Sequence, residues 1–126
     1  MYNLNKFIGL SFDDFDCWRL VRLYYQKMLS IELPDVDIQH REVNLIKDAV
    51  EIQAISEIWI KLNKPEKHCI VTMCTNPNIK SIHHLGVCVE ENRLLHVQRG
   101  GTSYLDRLDN PIIISQTRGF YKWHTL

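Results

Sequence analysis

The sequence predicts an α+β domain in which N-terminal helices pack on a small antiparallel sheet. Two observations point to this class: apolar residues recur at helical spacing in the first half of the chain, and short β-rich runs separated by turns fill the second half. The chain has 126 residues, which is enough for one hydrophobic core and few for two. We therefore expect a single domain over residues 1–126.

The first predicted helix runs from about Asp14 to Leu29. Acidic residues open it, and Leu20, Tyr24 and Met28 then follow one another at intervals of four. This spacing places the three side chains on one face, which we expect to be buried.

The second predicted helix runs from Glu42 to about Ile58, after Pro34 closes the intervening turn. Its apolar residues recur every three or four positions, as expected for a helix with one buried face.

Six short strands follow, separated by turns with Asn, Pro, Gly or charged residues. The predicted strands are Trp59 to Leu62, Cys69 to Cys74, His84 to Val89, Arg93 to Val97, Ile112 to Ser115 and Gly119 to Trp123.

Charge and hydropathy exclude several classes of partner. The chain has 15 basic and 15 acidic residues, so its net charge is zero, and neither nucleic acid nor an anionic membrane surface is expected to bind. It contains no apolar stretch of the roughly 20 residues needed to cross a bilayer, and its N-terminus lacks the pattern of a signal peptide. We expect a soluble protein whose four cysteines are free thiols.

Cys17 is the first candidate functional residue. It lies at the first turn of the first predicted helix, where unpaired backbone N–H groups and the helix dipole favour a thiolate and lower its pKa. The alternative is a small buried apolar residue, which is what most free cysteines are.

His84 and His96 are the second candidate, on two strands that read as a hairpin. A loop of odd length centred on Glu90 would place the two side chains opposite each other on one face, whereas a two-residue turn at Glu91 and Asn92 would place them on opposite faces. The sequence permits either, and Asn92 can take the left-handed conformation that a bulged loop requires.

If the two histidines lie on the same face, one imidazole can act as a general base toward a thiol. The other can then hold the first ring in the required tautomer. Gly86 would then leave room beside His84 for a substrate backbone. The alternative is two unrelated histidines, each hydrogen-bonded within its own strand.

A zinc site is a competing use of the same residue types, and its possible ligands are Cys69, Cys74, His83, His84 and His96. The spacing is poor for it, because a strand points these two thiols to opposite faces and no C-x2-C pair occurs. We expect no metal and no cofactor. We also assign no role to His40, His68 or His124.

The order of these features resembles the NlpC-type cysteine peptidases, small papain-like enzymes that cleave bacterial cell-wall peptides. The tryptophan after the cysteine and the Glu-Leu-Pro after the helix are similar to a branch found in bacteriophage tail-assembly and tail-tip proteins. The matching stretches are Phe7 to Leu10, Asp16 to Trp18, Leu20 to Arg22, Ile31 to Pro34, His84 to Val87, Leu94 to His96 and Gly119 to Lys122.

The resemblance implies roles for individual residues. Cys17 would be the nucleophile, His84 the general base and His96 the third, orienting residue, and the backbone N–H of Cys17 would help to bind the oxyanion. The residues expected around the substrate and the oxyanion are Phe12, Asp16, Trp18 and Gly86.

Three positions depart from the family pattern. Trp18 and Arg19 replace a small residue and a glycine, Phe12 stands where a tyrosine commonly helps to polarise the substrate, and Lys67-His68 replaces a Gly-Asp pair.

The activity implied by the resemblance is hydrolysis of an amide bond in the peptidoglycan stem peptide, between D-glutamate and the diamino acid. The implied setting is a phage tail component that opens the wall during DNA entry, with other tail proteins as partners. It would be found in the virion tail or the host cell, in the cytoplasm during assembly and at the envelope in action.

Two alternatives stay open. The same fold and triad serve acyl transfer or thioester hydrolysis, which a hydrophobic groove would favour. A structural tail module would keep the triad while a side chain blocks the cleft.

Overall fold

The computed structural model describes residues 3–33, 59–75, 84–90 and 92–126. The second predicted helix, Glu42 to Ile58, lies outside them. The described helical elements are a 3-10 helix (Leu4–Phe7), α1 (Cys17–Tyr24), a π-helical turn (Tyr25–Leu29) and α2 (Pro111–Gln116). The described strands are β1 (Trp59–Leu62), β2 (Ile70–Met73), β3 (His84–Glu90), β4 (Arg93–His96), β5 (Tyr104–Arg107) and β6 (Thr117–Trp123).

The strands form one antiparallel sheet in the order β1-β6-β2-β3-β4-β5. Apolar side chains that alternate along the strands pack on its two faces. Leu85, Val87 and Leu95 belong to the larger cluster, which includes the buried face of α1, and Cys88 and Leu94 belong to a smaller cluster that includes a residue of α2. The α+β class predicted from the sequence is confirmed.

Helix α1 begins three residues later than predicted. Asp16 is extended and serves as its N-cap, with a side-chain oxygen that accepts the backbone N–H of Arg19 at 2.9 Å. The acidic residues just before it belong to a turn in which the N–H groups of Asp14 and Phe15 bond to the carbonyl of Ser11. The acidic run therefore marks the approach to the helix, and Asp16 alone marks its start.

The predicted helix also ends differently. Its last turn, Tyr25–Leu29, widens into a π-helix, and Ser30 takes a left-handed conformation with φ 55°. The N–H groups of Ser30 and Ile31 both bond to the carbonyl of Tyr25, which ends the helix.

The predicted strand Ile112 to Ser115 is wrong, because these residues form most of α2. Asn110 caps this helix by accepting the N–H of Ile112 at 2.9 Å, and Pro111 occupies its first turn. The Asn-Pro signal was present in the sequence, but the three consecutive isoleucines resemble a strand. Strand β5 was not predicted because its residues, Tyr-Leu-Asp-Arg, are largely polar.

Ser103 anchors the segment that leads to α1. Its hydroxyl donates to the carbonyl of Phe7 and accepts the N–H of Leu10, while its backbone bonds to Gly9 and Leu10. Nearby, the N–H of Phe12 bonds to the carbonyl of Gly101. These hydrogen bonds attach the segment before Cys17 to the edge of the sheet that carries β5.

Within the described ranges, no helix has the length and apolar character needed to traverse a bilayer.

Candidate active site

Cys17 is the first residue of α1, and its side chain is 5% exposed. The backbone N–H of Leu85, the second residue of β3, is hydrogen-bonded to the thiol. Because His84 is the preceding residue, this contact brings the sulfur to the end of β3 at which the histidine lies.

The structure overturns the expectation that the position of Cys17 lowers its pKa. Burial and, second, the charge of Asp16 raise the pKa of the Cys17 thiol to about 12. The N–H groups of Leu85, Trp18 and Cys17 itself act in the opposite direction, but burial outweighs them. The resting side chain is therefore a thiol at neutral pH.

A β-bulge places the two histidines on one face of the β3–β4 hairpin. Glu90 pairs with Arg93, so two residues connect the strands. If this register continued along the hairpin, the side chains of His84 and His96 would lie on opposite faces of the sheet. Between Cys88 and Glu90 the register shifts, so that Val87 pairs with Leu95. The hairpin thus has the two-residue connection that was expected to separate the histidines, but the shift in strand register brings them back to one face. Neither of the two predicted loops included such a shift.

The two imidazoles contact each other directly. Nε2 of His84 lies 2.8 Å from Nδ1 of His96, and the ring centroids are 5.1 Å apart. Both side chains are buried. Asn92, in the connection, has φ 63°, the left-handed conformation expected of it in a bulged loop.

Gly86 makes room for this pair. A Cβ at Gly86 would lie 2.5 Å from Cδ1 of Leu94, 3.0 Å from the carbonyl oxygen of Leu95 and 3.1 Å from Cβ of His96. The first distance is shorter than real Cβ contacts, and the other two are tighter than most of them, so a larger residue would require Leu94 to move and would press on the backbone of Leu95 and on His96. Gly86 therefore has a packing role. The expectation that a substrate backbone approaches it stays a prediction.

Asp106 is a neighbour of His96 that sequence reasoning missed. The β4–β5 pairing sets Tyr104 opposite His96 and Asp106 opposite Leu94, so all four side chains share a face. Oδ2 of Asp106 lies 3.5 Å from Nε2 of His96. Burial lowers the pKa of His96, and the charge of Asp106 opposes that shift. No signal marked Asp106, because β5 itself was not predicted.

The other residues assigned to the substrate region also have packing roles. Trp18 is 1% exposed and Phe12 is 8% exposed, and both belong to the core under α1. Asp16 is the helix cap, with Nε of Arg19 3.9 Å from its second oxygen. Their contribution to substrate or oxyanion binding stays a prediction.

His68, to which no role was assigned, is bound to the core in the structure. Its Nδ1 lies 2.7 Å from the hydroxyl of Tyr24, and its carbonyl accepts the hydroxyl of Tyr25. Its backbone has φ 74°. Burial and, second, the charge of Lys67 lower its pKa.

Two other features lie apart from this constellation. A cavity of about 200 Å³ is lined by side chains that include Arg19, Arg22 and Glu32, and neither Cys17 nor the histidine pair lines it. Across the ranges that the structure describes, no three His, Cys, Asp or Glu side chains converge as a metal site.

A helix that begins with a buried cysteine, packed on an antiparallel sheet that presents two bonded histidines, defines a papain-like α+β domain. The model of the NlpC/P60 family matches residues 5–122, nearly the whole chain, and the protein belongs to this family. The family generally comprises cysteine peptidases and amidases that act on peptidoglycan. No curated protein matches the chain.

Proposed function

We propose that this chain, as one domain over residues 1–126, is a cysteine peptidase that hydrolyses an amide bond of the peptidoglycan stem peptide. The observation that carries the proposal is a pair of hydrogen bonds made by neighbouring residues at the start of β3. The Cys17 thiol is bonded by the Leu85 amide, and the adjacent His84 is bonded to His96.

In the proposed reaction, His84 takes the proton of the Cys17 thiol as the sulfur attacks the amide carbonyl. Because the pKa of the thiol is raised, the proton leaves during the attack and no thiolate is formed beforehand. His96 holds the ring of His84 and stabilises its protonated form.

The tetrahedral intermediate carries a negative oxygen, which the backbone N–H of Cys17 helps to bind. When it collapses, the carbon–nitrogen bond breaks, His84 returns its proton to the amine and a thioester to Cys17 remains. His84 then takes a proton from water as the oxygen attacks the thioester. The carbon–sulfur bond breaks, His84 returns the proton to the sulfur, and the acid and the Cys17 thiol are released.

The bond between D-glutamate and the diamino acid is the proposed target. A role in the virion tail, with other tail proteins as partners, is the proposed setting. It is supported by the residues Trp18 and Glu32 to Pro34, which are similar to those of phage tail proteins.

The test is cleavage of purified stem peptides, with the new amino group detected by mass spectrometry. Cys17→Ala should abolish cleavage and keep the circular dichroism spectrum of the wild type. Cys74→Ala, which removes another buried thiol, is the matched control and should remain active. Cleavage by Cys17→Ala would refute the proposal.

The burial of Cys17 favours a second candidate, a structural tail module that retains the triad without activity. A thiol that is 5% exposed, with a pKa raised to about 12, is what a blocked cleft would produce. Absence of cleavage by the wild type on every stem peptide would favour this candidate. Acyl transfer and thioester hydrolysis by the same triad are tested by offering thioesters and amine acceptors in the same assay.

A further inference from the structure

The side chain of Asp106 is oriented toward the buried edge of His96. One carboxylate oxygen, Oδ1, accepts the backbone N–H of Arg107 at 3.0 Å, and the other, Oδ2, lies 3.5 Å from Nε2 of His96. The side chain of Asp106 is 25% exposed, whereas that of His96 is fully buried.

Nε2 of His96 needs such a partner. It is buried and has no hydrogen bond of ordinary length with any residue that the structure describes. A buried polar group without a partner is costly, and a carboxylate accepts hydrogen bonds only. A small rotation of the Asp106 side chain would close the remaining distance, and it would require the proton of His96 to be on Nε2.

The position of that proton sets the tautomer of the next ring. If Nε2 of His96 carries the proton, Nδ1 can only accept, so the 2.8 Å contact requires a proton on Nε2 of His84. Nδ1 of His84 is then unprotonated and available as a base. With the opposite tautomer of His96, Nδ1 of His84 would carry a proton and could not accept one from a thiol.

We propose that Asp106 is a positioning residue that holds His96 and His84 in the tautomers in which Nδ1 of His84 carries no proton. The catalytic consequence rests on the proposed function, whereas the tautomers can be measured without any substrate.

The balance of charge around His96 agrees with this role. The titratable side chains that face its ring are His84 from β3 and Tyr104 and Asp106 from β5. Burial lowers the pKa of His96, so the ring is neutral above pH 7, the state in which a tautomer is defined. Because Asp106 opposes the shift, its removal should lower the pKa of His96 further.

The direct measurement is a long-range proton–nitrogen NMR spectrum of the full chain at pH 8, labelled with nitrogen-15. Such a spectrum distinguishes the two tautomers of a neutral imidazole. In the wild type, His96 and His84 should both carry the proton on Nε2. In Asp106→Ala, the tautomer with the proton on Nδ1 should appear for both rings.

Asp109→Ala is the matched control. This carboxylate lies three residues further along, is half exposed and is paired with Arg107 on the surface. Its removal should change neither tautomer.

Kinetics then test the catalytic consequence. In Asp106→Ala, kcat should fall on the order of tenfold or more while KM is unchanged, because the substrate is still bound and the base is partly in the wrong tautomer. Asp109→Ala should retain wild-type kcat.

A proton on Nδ1 of His96 in the wild type would overturn the inference even if Asp106→Ala did not fold. An unchanged tautomer in folded Asp106→Ala would overturn it as well. If the wild type cleaves no stem peptide, the proposed function fails, and the tautomers still decide the role of Asp106.

Discussion

Burial decides the chemistry of Cys17 more strongly than its place on α1 does. Three backbone N–H groups lower the pKa of the thiol, as expected at a helix start, but removal from water and the adjacent Asp16 carboxylate raise it to about 12. Position along a helix is visible in the sequence, whereas burial depends on what packs around the helix. The sequence therefore identified the residue and missed its resting protonation state.

Alkylation of Cys17 by iodoacetamide should consequently be slow at neutral pH. The raised pKa leaves so little thiolate that, at pH 8, Cys17 should react at least about a hundredfold more slowly in the native protein than in the urea-unfolded chain. The rate should still be rising at pH 10. Peptide mapping by mass spectrometry distinguishes Cys17 from the three other cysteines.

The unfolded chain is the internal control, because it contains the same thiol in water. A native rate that levels off near pH 5 to 6 and is lost in His84→Ala would contradict this expectation and establish a preformed thiolate–imidazolium pair.

At the scale of elements, the β3–β4 hairpin shows what pattern can and cannot predict. The sequence predicted two strands and a possible pairing of His84 with His96 twelve residues apart. It did not predict the bulge between Cys88 and Glu90, because a bulge is a property of the pairing of two strands and leaves no spacing signal in either.

Gly86→Ala should disturb the histidine pair through this hairpin. The added Cβ would meet the backbone carbonyl of Leu95 at 3.0 Å and Cβ of His96 at 3.1 Å, and a strand backbone cannot move away as a flexible side chain can. We expect a loss of about 1–3 kcal/mol in the free energy of unfolding. Urea denaturation followed by circular dichroism measures it.

Gly101→Ala is the matched substitution. A Cβ there would lie 3.5 Å from the carbonyl oxygen of Gln98, an ordinary contact, so its stability should stay near that of the wild type. Equal stabilities for the two variants would contradict the packing role of Gly86.

For the whole molecule, the buried His96 and the partly buried His68 make the stability of the fold depend on pH. Burial lowers the pKa of both His96 and His68 below the ordinary value of 6.5. Between the lowered values and 6.5, the unfolded chain binds protons that the folded protein does not bind. The free energy of unfolding should therefore be greatest above about pH 7 and should fall as the pH drops below 6.5.

Urea titrations at intervals between pH 7.5 and 5 measure this dependence above the range in which most carboxylates titrate. His96→Asn and His68→Asn each remove one of the two groups, and each should make the dependence shallower. Asn is a suitable replacement for His68 because it tolerates the positive φ of that residue. The same slope in the wild type and in both variants would refute the assignment.

The sequence by itself determined the fold class, five of the six described strands and the start of the domain's main helix to within three residues. It also identified Cys17, His84 and His96 as candidate site residues. These follow from periodicity, capping and residue type, which are local properties of the chain. The tertiary structure alone decided the contact between the histidines, the raised pKa of Cys17 and the position of Asp106 beside His96. Each of these depends on strand register and on exclusion of water, which arise only when segments distant in sequence pack together.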